Sequence, residues 1–131
     1  MSEKDNVERI SKIYEAFGRG DIPYILSQLT DDVRWIAHFE PIVPWAGDFS
    51  GKGTVPNFFA AIAGAGDVTA FVPKEFIAQG NTVVSLGEFG FKVRATGKSV
   101  LTPWVFIWKF REGQVYDYEQ FHDPAMAAAF H

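Results

Sequence analysis

The chain has no cysteine, which removes disulfides, thiolate nucleophiles and cysteine-ligated metals together. Positive charge is sparse and scattered. Twelve Lys and Arg against 16 Asp and Glu leave a net charge of -4. With no basic cluster to neutralise phosphates, nucleic acid is not an expected partner. A membrane surface recruits the same clustered basic residues and is disfavoured on the same ground. Long apolar runs are missing as well, none approaching the roughly 20 residues that span a bilayer. The opening Met1-Ser2-Glu3-Lys4-Asp5 is charged and does not read as a signal peptide, so a cytoplasmic protein is expected. Histidine is rare, with three in 131 residues. Its spacing to the acids matches no metal-ligand motif, so no metal or other cofactor is expected.

Aromatic residues, by contrast, are plentiful: 16% of the chain, including 13 Phe and 4 Trp. A core of this size does not require so many rings, and the excess suggests a lined cavity or an interface. At 131 residues the chain fits one domain over 1–131, able to bury roughly two thirds of its unfolded surface without covalent staples.

Val7, Ile10, Ile13, Tyr14 and Phe17 recur at three- and four-residue spacing, which predicts an amphipathic helix over 3–18 stopped by Gly18 and Gly20. Asp21 before Ile22-Pro23 reads as the N-cap of a short second helix carrying Ile25, Leu26 and Leu29. Residues 33–38 are β-prone and run into a proline- and glycine-bearing loop over 39–53, long enough to act as a lid. Phe58, Phe59 and Ile62 share helical spacing and predict a third helix over 55–64. Four stretches follow, 68–78, 82–94, 100–111 and 114–122. They are separated by the turn signals Gly80-Asn81, Thr96-Gly97-Lys98 and Glu112-Gly113, which predicts an antiparallel meander. Asp123-Pro124 opens a last short helix, with Asp123 as its cap. The fold class is therefore α+β.

Side chains two apart on a strand share a face. Trp104, Phe106, Trp108 and Phe110 form one aromatic row expected to face the helices. On the preceding strand Val83, Ser85, Gly87, Phe89, Phe91 and Val93 face inward, with Gly87 leaving room. The last strand is two-sided: Tyr118, Gln120 and His122 suit a pocket better than Asp117 and Glu119, though neither set is cleanly apolar. The opposite parity carries Val84, Leu86, Val105 and Ile107 with Glu88, Lys109 and Arg111, a surface apolar enough for a homodimer through the outer sheet face.

The order of elements, with Ile13-Tyr14-Glu15-Ala16-Phe17-Gly18-Arg19-Gly20-Asp21, Leu29-Thr30-Asp31-Asp32-Val33-Arg34-Trp35, Phe110-Arg111-Glu112-Gly113-Gln114-Val115 and Tyr118-Glu119-Gln120-Phe121-His122-Asp123, resembles the nuclear transport factor 2-like superfamily. Ketosteroid isomerases, SnoaL-like polyketide cyclases and limonene epoxide hydrolase share that fold. The resemblance covers essentially the whole chain and implies a cone-shaped, curved antiparallel sheet packed on N-terminal helices around a hydrophobic pocket.

The chemistry does not carry over with the fold. Tyr14 matches the isomerase tyrosine, but the base position falls on Ala37 and the protonated-acid position on Phe106. The epoxide hydrolase residues fall on Trp35, Ala37, Gly87, Phe89 and Gln120, and the cyclase acid/base also falls on Gln120, which cannot titrate.

The remaining candidates are Tyr14 as a donor to a ligand oxygen, His38 at the mouth of the cone, and His122, all three as catalytic groups. His122 either pairs with Asp123 or stands alone while Asp123 caps the last helix. Trp35, Phe89, Trp104, Phe106, Tyr118 and Gln120 are the expected ligand-binding residues. Asp31-Asp32 reads as a turn and cap. The expected function is binding of a small hydrophobic, carbonyl-containing molecule with an isomerase, cyclase or lyase activity. The alternative is a non-catalytic ligand-binding or dimeric interaction module.

Overall fold

The structure is a computed structural model that describes residues 2–131. Its elements are α1 (Glu3–Arg19), α2 (Ile22–Ser27), β1 (Leu29–His38), β2 (Gly47–Asp48), α3 (Val55–Ala65), β3 (Gly66–Gln79), β4 (Thr82–Val93), β5 (Ser99–Arg111), β6 (Gln114–His122) and α4 (Ala125–Ala128). The strands form one curved, unclosed sheet in the order β2-β1-β6-β5-β4-β3, packed on the N-terminal helices. No helix among the described residues is long and apolar enough to cross a membrane.

Local chemistry explains the boundaries. Ser2 Oγ accepts the Asp5 N–H at 3.1 Å, and Gly20 closes α1 in the left-handed region at φ 72°, the usual cap and stop of a helix. Asp21 caps α2 by accepting the Tyr24 N–H at 3.1 Å. The β5–β6 turn places Glu112 at φ 51° and Gly113 at φ 79°. Two successive positive φ values match the twist of a tight hairpin.

β3 to β6 are the expected antiparallel meander, and β1 then pairs parallel with β6. This return crossover puts the chain's first long strand between the short β2 and its last strand, and so brings residues 35–38 next to 118–121. β1 is longer than expected: it begins at Leu29, which pairs with Val115, rather than at Val33. Asp31 and Asp32 therefore lie in an irregular stretch of strand and do not cap a helix; Asp32 instead holds Arg111 at 2.8 Å.

The parity rule holds for β4 and β5, whose inward rows are buried from Val83 to Val93 and from Thr102 to Phe110. The room expected at Gly87 is filled, because a Cβ there would lie 2.3 Å from Trp104 Cζ2. The two-sided reading of β6 also has a cause. Lys109 pairs with Asp117 but Phe110 with Val115, so Tyr116 is an extra residue and the buried parity changes from Val115 to Tyr118.

The 39–53 segment is not a free lid. Val43 and Trp45 are each only 1% exposed, driven into the core. Beyond them, Phe49, Gly51 and Lys52 donate to the carbonyls of Trp35, Val33 and Asp31 at 2.7–3.1 Å. β2 adds a two-residue ladder to β1. The segment is a strap tied along β1, closing one end of the curved sheet.

Candidate functional site

The concave face holds a small cavity of about 50 Å³ that opens to solvent; it has room for a few waters, and a larger ligand has to push its aromatic walls apart. Its lining comes from every layer: Tyr14 and Phe17 from α1, Phe58 and Phe59 from α3, Phe71 and Phe89 from β3 and β4, Phe106 and Trp108 from β5, and Trp35, Tyr118, Gln120 and His122 from β1 and β6. Phe17, Phe59, Ile62 and Phe71 also border an open groove between α1, α3 and β3. They are thus the wall between cavity and solvent.

The rings interlock. Trp35 and Trp108 each lie 4.1 Å from the Tyr118 ring, and Trp104 stacks on Phe106 at 3.9 Å. Trp104 sits behind Phe106 rather than on the cavity surface, so it supports a wall instead of touching the space. The other expected ligand-binding residues, Trp35, Phe89, Phe106, Tyr118 and Gln120, all line the cavity.

The polar side chains form two short chains. In the first, Tyr14, 7% exposed, accepts from Trp108 Nε1 at 2.9 Å. Burial pushes its hydroxyl above the ordinary tyrosine value, so it stays protonated. In the second, Gln120 Nε2 donates to the Tyr118 hydroxyl and Gln120 Oε1 lies 3.2 Å from His122 Nε2. Burial likewise holds the Tyr118 hydroxyl well above its usual range. The same desolvation acts with the opposite sign on His122, whose pKa is pushed down to about 3. His122 is therefore neutral at physiological pH. Its ring stacks on Phe39 at 4.0 Å, and Phe106 lies 5.7 Å away. Asp123 does not pair with it; its Oδ1 accepts the Ala125 N–H at 2.8 Å at the start of α4.

His38 is brought to a different place. It lies one residue beyond Ala37, so its side chain points to the convex face. There its Nε2 meets Glu119 at 2.7 Å and its ring stacks on Phe121 at 4.5 Å. Arg34 joins the same cluster, contacting Glu119 at 2.9 Å and Asp117 at 3.2 Å. Glu119 is held below the ordinary carboxylate value, first by Arg34 and then by His38. Of the three expected catalytic residues, the fold therefore brings Tyr14 and His122 to one cavity and His38 to the opposite surface.

Several lining residues lie outside the expected binding set. Trp108, in one row with Trp104 and Phe106, and Phe58, Phe59 and Ile62, at helical spacing, each carried a sequence signal. Trp45 had none, because a tryptophan in a proline-flanked loop has no periodicity to place it. No carboxylate, Lys or Arg lines the cavity, and no cluster of three or more metal-ligating side chains occurs among the described residues.

The family described as a SnoaL-like domain matches residues 10–118, most of the chain. This chain belongs to that family. Among solved structures, the SnoaL-like chain is similar to an NTF2-like protein from Burkholderia xenovorans LB400, at 28% identity and a TM-score of 0.89, covering 100% of this chain and 99% of that one. It is also similar to TerC, co-crystallised with polyporic acid, at 26% identity and a TM-score of 0.83, covering 96% and 98% of the two chains. A putative SnoaL-like polyketide cyclase from Jannaschia sp. CCS1 shares the fold at 20% identity and a TM-score of 0.77, covering 96% and 90%. No curated protein matches the chain.

Proposed function

We propose that this SnoaL-like protein binds one small, neutral, ring-bearing apolar molecule in its aromatic cavity, and that His122 exchanges a proton with it in an isomerase or cyclase type of role. The observation that carries the reading is the Tyr118–Gln120–His122 chain set into a wall otherwise made of aromatic and aliphatic side chains. Aromatic walls favour flat apolar ligands by area burial and ring stacking, and a few convergent polar groups fix their orientation. Burial keeps His122 neutral but weakens it as a base, so it takes a proton only when the bound ligand's oxygen raises its pKa toward the working pH. Tyr14 holds the far wall through Trp108. His38, on the other face, has no part in this chemistry. The polyporic acid carried by TerC supports a ring-bearing ligand as the class to try first.

A non-catalytic binding role is the second reading, favoured by the lack of any carboxylate in the lining and by Ala37 and Phe106 at the positions where the resemblance expects acids. The two are separated by 2-tetralone in D₂O, followed by NMR, with tetralin as the binding probe. Exchange of the ketone's α-hydrogens above the buffer rate, lost in His122→Phe while tetralin still binds, supports the enzyme. Binding without any acceleration supports the module. Tetralin neither shifting the melting temperature nor occupying the cavity would contradict both.

The convex face supports a homodimer. Val72, Ile77, Leu101 and Phe121 are 40–59% exposed there, beside Val105 and Ile107 on β5. Sedimentation equilibrium at micromolar concentration tests it, a monomer being the contrary result.

A further inference from the structure

The polar atoms that line the cavity divide into those the protein satisfies and those it does not. The Tyr14 oxygen accepts from the Trp108 indole N–H, and the Tyr118–Gln120–His122 chain is linked among its own members. Two atoms on lining residues lack any partner: Trp35 Nε1 and His122 Nδ1, both sealed from solvent. Neither can find one inside the protein. Trp35 is 1% exposed and ringed by Phe58, Phe59, Trp108 and Tyr118, while His122 is flanked by Phe39, Phe89 and Phe106. Leaving a buried polar group unpaired is costly, and native structures keep few such groups.

The two atoms have opposite hydrogen-bonding sense. An indole N–H can only donate. For His122 the sense follows from its neighbour. Gln120 donates through Nε2 to Tyr118, so its Oε1 accepts from His122 Nε2. The neutral ring then carries its proton on Nε2 and presents a bare lone pair at Nδ1. Among the described residues no charged side chain lines the cavity, so a carboxylate or ammonium ligand would be buried without a counter-charge.

We propose that the ligand is a neutral ring compound bearing both a carbonyl and a hydroxyl, the carbonyl accepting from the Trp35 indole N–H and the hydroxyl donating to His122 Nδ1. This rests on the binding reading above and narrows it. It also gives to Trp35, whose indole N–H has no partner, the oxygen-holding role expected of Tyr14.

The test is calorimetric titration with three probes of one shape: tetralin, 1-tetralone, and the set of 1-tetralones hydroxylated on the aromatic ring. Each neutral hydrogen bond gained is expected to tighten binding about 3- to 10-fold. 1-Tetralone should therefore exceed tetralin, and one hydroxylated isomer should exceed 1-tetralone by a similar factor. Trp35→Phe should erase the first gain and His122→Phe the second, each read as the ratio of affinities to tetralin within the same variant. Equal affinity of all three probes, or gains that survive both substitutions, would overturn the inference while leaving apolar binding intact. Loss of tetralin binding itself would instead remove the reading beneath it. Nitrogen-15 NMR of the wild-type protein keeps the test open if a variant fails to fold. His122 should show protonated Nε2 and bare Nδ1, and the Trp35 indole proton should move downfield with 1-tetralone but not with tetralin. The opposite tautomer, or an unmoved indole proton, would overturn the proposal.

Discussion

The two faces of one sheet treat the same residue type in opposite ways. On the concave side His122 is packed between rings and largely removed from solvent, so its pKa falls to about 3. On the convex side His38 is 42% exposed and held by Glu119 within a cluster that includes Arg34. The inner face has a few polar atoms in fixed positions within an apolar wall, and the outer has several charges in water. Position in the sheet, more than residue identity, decides which side chain is available for chemistry. Charges in water gain little from pairing, whereas a polar atom sealed among rings must be partnered or carry a large cost.

The contrast breaks first by removing bulk. Phe106→Ala, on the inner face, should lower unfolding free energy by about 3–5 kcal/mol in urea denaturation, whereas the adjacent outward Val105→Ala should cost about 1 kcal/mol or less. Equal costs would mean that the inner face is not the core.

The pH dependence of stability is the next largest effect. His122 has a folded-state pKa of about 3 against about 6.5 when unfolded. The unfolded chain therefore binds the extra proton, and stability is full above pH 6.5 and declines as pH falls toward 3. The slope from this group approaches 1.4 kcal/mol per pH unit at most. His122→Phe should flatten that part of the curve in thermal melts between pH 7 and 4, while His38→Gln should retain it.

A smaller effect is expected at the Tyr14–Trp108 bond. Tyr14→Phe leaves the buried Trp108 N–H without an acceptor and should cost about 1–3 kcal/mol by denaturation. The smallest belongs to the outer cluster, where Glu119→Gln should change stability by about 1 kcal/mol or less, with the change shrinking in high salt.

The fold was largely legible because periodicity survives in the residues. The α1 spacing, the alternating rows of β4 and β5 and the Glu112-Gly113 turn each fixed a local geometry that the structure repeats. What alternation could not supply was anything that depends on an extra residue. The bulge at Tyr116 changes the buried parity of β6, so Tyr118, Gln120 and His122 could not be assigned a face from pattern alone. Trp45 is positioned by tertiary packing against Phe39, Phe91 and Phe130, which no local pattern encodes. His38 shows the reverse: the strand's alternation already pointed it away from Ala37, and the regular stretch of β1 from Arg34 to His38 keeps it there. The site's remaining polar atoms were visible as residue types. Which of them lacked a partner depends on rings drawn from β1, α3, β5 and β6 meeting around one indole.

The most direct test of the central claim, that the concave aromatic cavity is the binding site, is a crystal structure of the protein grown with a saturating ring ligand such as 1-tetralone. Density is expected between Trp35, Phe106 and Tyr118, in contact with His122. Ordered ligand on the convex face or in the outer groove, with the cavity unchanged, would contradict it.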